Sequence, residues 1–196
     1  MISTFSLMVN KSVLRDVYLQ KRMMLASEEY ERRNQLVRDN FLQSFSPKKF
    51  NSLHIFLPIA SKKEVNTWPI IEACREINPD LSIFTSKSLK NGLLQHFRLE
   101  EDTRLSVNRW GIPEPDGYDP VSLHHVDVIL LPLIISDKQG NRIGYGKGYY
   151  DRFLEEVSSD HRVGLTLSPS LDEISYMEQH DVGLTCCVGP YITEFF

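Results

Sequence analysis

A chain of 196 residues, 41% hydrophobic and 24% charged, has the size of one domain and buries enough surface to fold without disulfides or metal. Its 22 Lys+Arg against 26 Asp+Glu leave a net charge of −4, which gives no basic excess to draw it onto a phosphate backbone, so nucleic acid is not an expected partner. No uncharged apolar run approaches the roughly 20 residues of a membrane span, and the mildly apolar opening, Met1 to Val9, lacks a basic start and is broken by Ser and Thr, so neither membrane attachment nor a signal peptide is expected.

Residues 10 to 45 have no Gly or Pro, and Val13, Val17, Met24 and Leu25 recur at helical spacing. Ser27 followed by Glu28 and Glu29 reads as an N-cap with acids in the first turn, which predicts two helices meeting there. Leu53 to Pro58 is a short apolar run, read as a buried strand. Thr67-Trp68-Pro69 opens a further helix to about Ile77, with Pro in the tolerant first turn. Leu81 to Thr85 reads as a strand. Residues 86 to 125 are weakly periodic and end in a turn-rich segment, Trp110 to Gly117. The strongest strand is Val126 to Ile134, apolar throughout as in a parallel sheet covered on both faces. A glycine-rich loop follows, then a helix from Tyr149 to Val157, a strand from Arg162 to Leu167, and a last apolar run from Leu184 to Val188. Strands alternating with helices predict an α/β fold in a single domain over residues 1–196. Cys74, Cys186 and Cys187 are odd in number with two adjacent, so reduced, buried thiols of a cytoplasmic protein are expected.

Gly140-Asn141-Arg142-Ile143-Gly144-Tyr145-Gly146-Lys147-Gly148 is the most informative segment. Glycines at alternate positions between a buried strand and a helix let backbone N–H groups converge on an anion, and Arg142 and Lys147 add full charges. It is neither a Walker A loop nor a Rossmann fingerprint: Asn141 stands at the former's first Gly, and Tyr149 at the latter's third. A tight strand-to-helix connection would also need glycine. Lys11 and Arg15 share a helix face and can grip two oxygens of a polyphosphate, though ordinary solvated helix faces carry such pairs as well. Asp151, in the first turn after the loop, suits either Mg²⁺ or the helix dipole. His180-Asp181 has no accompanying Ser or Cys nucleophile motif, and His124-His125 no partners at zinc spacing.

Leu131-Pro132, Asp137, Gly140, Arg142, Gly144, Gly146 and the run Gly148 to Leu154 together resemble the signature of the 5-formyltetrahydrofolate cyclo-ligase family. Lys11-x-x-x-Arg15, Glu64-Val65-Asn66-Thr67, Trp110-x-Ile112-x-Glu114-Pro115 and His180-Asp181 match its other segments in order and spacing. The resemblance implies a three-layer α/β sandwich with a mostly parallel central sheet flanked by helices. It also implies an ATP- and Mg²⁺-dependent ligase of folate one-carbon metabolism, acting as a monomer, that turns 5-formyltetrahydrofolate into 5,10-methenyltetrahydrofolate with release of ADP and phosphate. Carried over by position, Lys11, Arg15 and Arg142, Ile143, Gly144, Tyr145, Gly146, Lys147, Gly148, Tyr149 and Tyr150 hold the ATP phosphates, and Asp151 and Asp181 hold Mg²⁺. Leu57, Glu64 and Trp110, with Tyr145 to Tyr149, line the folate site, where the Glu64 carboxylate accepts the pterin's N–H groups. Lys147 and Arg142 are the catalytic charges. Ser136 stands where the family usually has Phe, which implies a looser pocket wall; Ser170, where many members have Gln, and Leu184 to Cys187 also depart from its pattern. A non-catalytic nucleotide- or folate-binding protein on the same fold is the alternative.

Overall fold

The computed structural model describes residues 10–175 and 178–196. Helix α1 (Lys11–Met23) begins where the Asn10 side chain accepts the Val13 N–H at 3.0 Å. Helix α2 (Ser27–Ser44) does start at the expected junction, but its N-cap is Ala26; Ser27 already lies in the first turn, and Glu28 and Glu29 complement the dipole there. The chain continues through β1 (Ser52–His54), α3 (Trp68–Ile77), β2 (Ser82–Ser88), β3 (Leu94–Arg98), β4 (Leu105–Val107), β5 (Pro113–Pro115) and β6 (His125–Pro132). Then come β7 (Ile135–Ser136), β8 (Arg142–Ile143), α4 (Tyr149–Glu156), β9 (Ser158–Leu165), β10 (Cys186–Val188) and β11 (Thr193–Phe195).

The main sheet has seven strands in the order β11-β10-β9-β6-β1-β2-β3. The strands from β10 to β2 run parallel, and β11 and β3 are antiparallel at the two edges. This is the mostly parallel α/β sandwich expected. Alternate residues of β6 serve opposite faces: Val128 and Leu130 pack with Val37 and Phe41 of α2 and Ile70, Ile71 and Cys74 of α3, whereas Ile129 and Leu131 pack with Phe153 of α4. On β10, Cys186 and Cys187 divide the same way, and all three cysteines are free and buried, their thiols pushed up to about 12 by desolvation. Among the described residues no helix is long and apolar enough to cross a membrane.

The apolar run after Leu53 leaves the sheet sooner than expected. Ile55 still donates to the Phe84 carbonyl at 2.8 Å, but the next groups bond to side chains: the Phe56 carbonyl accepts the Thr67 hydroxyl at 2.8 Å, and the Ile59 N–H reaches the Glu64 carboxylate at 2.6 Å. β9 starts four residues earlier than its apolar pattern, because its polar half pairs in register with β6 from His125↔Ser158 onward. Strand order reverses between β1 and β6, so the crevice beyond their C-terminal ends is where such sheets place ligands.

On the α4 side, His54 Nε2 lies 2.6 Å from Ser86 Oγ, which lies 2.9 Å from His96 Nδ1, and Phe153 covers both rings at centroid distances of 4.6 and 4.4 Å. Burial holds the His54 imidazole well below its ordinary pKa and pushes His96 down to about 4. Both therefore stay neutral when folded, while the unfolded chain takes up protons below about pH 6.5. Stability is full above that pH and falls as pH drops toward about 4. Thermal unfolding across this window is expected to show a falling Tm, with a shallower slope in His96→Gln; equal slopes would remove the pair from the acid response.

Candidate active site

The glycine loop leaves the end of β6 through the β7–β8 hairpin. Asp137, fully buried, shapes that hairpin by accepting from the Gln139 and Asn141 N–H groups at 3.0 and 2.9 Å, from the Asn141 side chain at 2.8 Å and from the Ile174 N–H at 2.8 Å. β8 carries Arg142 and Ile143 into buried positions, and the backbone then turns through Gly146 (φ 77°) and Gly148 (φ 66°), which is the N-cap of α4. A Cβ at Gly146 would lie 2.9 Å from the Arg15 guanidinium, which would have to shift. Arg15 lies along the loop, its Nε donating to the Gly144 carbonyl at 2.8 Å.

Arg142 and Lys11 are each paired with a carboxylate. Arg142, buried, bonds to Asp151 Oδ1 at 2.7 Å and also to the Val182 carbonyl; the Val182 N–H returns to Asp151 Oδ1 at 3.3 Å. Lys11 pairs with Asp181 Oδ2, which also accepts the Glu178 N–H at 2.6 Å. Asp151 thus accepts the N–H of Val182, the residue after Asp181, and each carboxylate neutralises a cation assigned to phosphate. Among the described residues, Asp151 Oδ2 and Asp181 Oδ1 take no protein partner, so each carboxylate keeps one oxygen, the donor type Mg²⁺ takes, for an ion. Lys147 stands exposed between the two positive-φ glycines and forms no ion pair among the described residues.

Beside the loop lies a second, less open region. Glu64 is 4% exposed, and its Oε2 accepts the Ile59 N–H. Burial raises its pKa, opposed by that N–H, by the Tyr145 hydroxyl and by the charges of Arg22 and Lys62. The Lys62 ammonium sits 4.5 Å from the centre of the Tyr145 ring. Leu57 is buried in the core behind this wall. Trp110 is 48% exposed at the turn of the β4–β5 hairpin, with Arg109 stacked on it at 4.1 Å. Gly111, beside it, packs on the Glu64 loop: a Cβ there would meet the Ser61 hydroxyl at 3.5 Å. Tyr149 points away from the loop toward the β2–β3 turn, donating to the Leu89 carbonyl at 2.8 Å, and Tyr150 packs inward between the two cores. Ser136 is fully buried; its hydroxyl lies 3.0 Å from Ser170 Oγ and 3.2 Å from Cys187 Sγ, and Ser170 in turn bonds Glu194. The two serines tie the hairpin to β10 and β11 through hydrogen bonds.

Two site residues carry no assignment from the sequence. Arg22 is buried and donates to the Leu133 carbonyl and the Tyr145 hydroxyl. Arg152 donates to the Gly92 carbonyl at 2.8 Å and the Lys147 carbonyl at 2.6 Å, bracing the loop against the β2–β3 turn. A signal for Arg22 existed: it lies seven residues after Arg15, on the helix stripe that also carries Lys11.

The model of the 5-formyltetrahydrofolate cyclo-ligase family matches residues 7–190. A 5-formyltetrahydrofolate cyclo-ligase of Escherichia coli K12 is 26% identical over 175 residues, 87% of this chain and 95% of that protein. A probable one from Schizosaccharomyces pombe is 29% identical over 102 residues, about half of each chain. Among solved structures, the 5,10-methenyltetrahydrofolate synthetase of Aquifex aeolicus superposes with a TM-score of 0.80 at 28% identity, covering 94% of this chain and 92% of that one. The synthetase of Mycoplasma pneumoniae, at 21% identity and a TM-score of 0.69, shares the fold.

Proposed function

Because this chain belongs to the 5-formyltetrahydrofolate cyclo-ligase family, we propose that it converts 5-formyltetrahydrofolate to 5,10-methenyltetrahydrofolate, with Mg²⁺ and with ATP cleaved to ADP and phosphate. The observation that carries this reading is the glycine loop itself: Arg15 grips it at Gly144, Lys147 stands on it with no ion pair among the described residues, and Asp151 follows in the first turn of α4.

The formyl oxygen of an N-formyl group is a poor leaving group. Transfer of the γ-phosphoryl to that oxygen gives an iminium phosphate and ADP; the neighbouring folate N–H nitrogen then attacks the formyl carbon and loses its proton to water, and the C–O bond breaks with phosphate departing. The protein supplies position and charge. The glycine-loop N–H groups and Arg15 hold the phosphate chain, and the N-terminus of α4 adds its dipole. Asp151 and Asp181 would hold Mg²⁺, which when bound offsets phosphate charge. Glu64 accepts the pterin N–H groups and fixes the formyl oxygen toward Lys147, whose ammonium stabilises the phosphoryl in transfer. Trp110 offers an aromatic face at the pocket rim.

Purified protein mixed with 5-formyltetrahydrofolate, Mg²⁺ and ATP is expected to develop the absorbance of the methenyl product, and no band without ATP. Tight binding of both substrates without that band would overturn the ligase reading in favour of a binding protein.

A further inference from the structure

Lys63, the residue before Glu64, is the one non-glycine with positive φ among the described residues, at φ 47° and ψ 44°. A side chain in this left-handed region carries a backbone cost that glycine would avoid. The position holds lysine all the same, and the contacts of the side chain give the reason. Its ammonium, half-buried, donates to the Met23 carbonyl at 3.1 Å and to the Leu25 carbonyl at 2.5 Å, at the C-terminal end of α1. The last carbonyls of a helix have no N–H partner of their own, and a cation placed there satisfies them.

The backbone of Lys63 also shapes the turn that carries Glu64. A tight 3-10 turn runs over Ala60–Lys62, with the Lys62 N–H on the Ile59 carbonyl and the Lys63 N–H on the Ala60 carbonyl, both at 3.0 Å. Lys63 then reverses the chain, and Glu64 Oε2 reaches back to the Ile59 N–H at 2.6 Å. Helix α2 holds the far side: the Tyr30 hydroxyl donates to the Glu64 carbonyl at 2.6 Å, and Asn34, buried, accepts the Asn66 N–H at 2.7 Å.

We propose that Lys63 is a positioning residue of the folate pocket: its ammonium clips the Glu64 turn to the C-terminal end of α1 and so aims the Glu64 carboxylate at the N–H donors of the substrate. The inference rests on the reading of the function above. The same 13-residue helix carries Arg15, whose Nε bonds to the glycine loop at Gly144. One rigid element therefore fixes the phosphate loop along its length and the folate turn at its end, which sets the two substrates against each other.

Steady-state kinetics of Lys63→Met, Lys63→Gly and Lys63→Arg, with each substrate varied in turn, test this beside calorimetric titration of 5-formyltetrahydrofolate alone. Lys63→Met and Lys63→Gly are both expected to raise the folate KM about 5- to 20-fold and to leave kcat and the ATP KM within about 2-fold. Lys63→Arg, whose guanidinium can still donate to both carbonyls, recovers most of the loss. Glycine decides between ammonium and backbone: were the left-handed turn all that mattered, Lys63→Gly would bind folate as wild type does. The effect passes through Glu64, so Lys63→Met adds little to the folate KM of Glu64→Gln. A wild-type folate KM in Lys63→Gly, additive effects in the double variant, or an equal rise in both KM values overturns the proposal. So does a lower Tm in Lys63→Met with both KM values unchanged, the mark of a helix cap alone. If Lys63→Met does not fold, the contrast of Lys63→Gly with Lys63→Arg decides. Wild-type protein that binds 5-formyltetrahydrofolate without turnover would instead refute the ligase reading, and the calorimetric affinities of the variants would still test this one.

Discussion

Lys147→Ala is expected to lower kcat for methenyl formation about 100- to 1,000-fold, the loss that follows removal of one charge aimed at a developing anion. The structure singles out this cation by what the others are doing. Lys11 is held by Asp181 and Arg142 by Asp151, and Arg15 is anchored through its Nε on the Gly144 carbonyl. Lys147 alone of the four stands exposed with no described partner, so no ion pair has to break before its use. Its backbone is nonetheless fixed, by the turns at Gly146 and Gly148 and by the Arg152 bond to its carbonyl. The loss should therefore fall on kcat, with the Tm unchanged and the ATP KM raised only a few-fold, because ground-state phosphate binding rests on Arg15 and the loop. Lys138→Ala, which removes a solvent-exposed pair with Asp172, is the charge-matched control and should leave kcat unaltered. Near-normal turnover in Lys147→Ala would move the phosphoryl-stabilising role to Arg15.

What could be read from the chain and what could not divides along physical lines. The apolar run of β6 and the glycines after it announced a covered parallel strand feeding a tight glycine loop, because burial on both faces and positive φ leave direct marks on composition. The β2–β3 hairpin left a plain mark as well, Asn91-Gly92 with φ 85° at the glycine. The half-buried strands beside it lacked a clean alternation, so the sheet edge stayed unread. β11 follows a turn at Gly189-Pro190 and owes its place to three ladder pairs with β10, a dependence invisible in its own residues. The same holds within the site. Residue types pointed to phosphate, metal and pterin, but pairing did not: nothing in the spacing says that Lys11 meets Asp181, or that a buried Arg22 stands behind Tyr145. Such contacts come from α1 lying across the sheet's C-terminal edge.

On the proposed function, that internal pairing bears on how the site would take up nucleotide. A carboxylate bonded to a cation on one oxygen and open on the other is already oriented, and the cation beside it is already desolvated. Asp151 and Asp181 would hold the ion through their free oxygens, and Arg142 and Lys11 would then be released toward phosphate. The charge count of the pocket is conserved through the exchange, which avoids leaving any of the four groups buried alone.

Asp151→Asn separates the two duties this arrangement gives the residue. Asn keeps the shape and one acceptor oxygen but removes the charge that faces Arg142, whose side chain is only 6% exposed. A purely structural Asp151 predicts a stability loss of about 1–2 kcal/mol, seen as a Tm lower by about 2–8 °C, with an unaltered Mg²⁺ titration of activity. A metal-holding Asp151 predicts the same Tm change together with a half-saturating Mg²⁺ concentration raised at least about 10-fold, since a neutral amide is a weaker ligand than a carboxylate. The second outcome is the expected one. Asp181→Asn supplies the cross-check: if both carboxylates serve one ion, the double variant will need scarcely more Mg²⁺ than the worse single one, because losing either ligand already removes the site's grip. Fully additive shifts would mean two independent effects on ATP binding, and the pairs with Arg142 and Lys11 would then be the whole of what these carboxylates do.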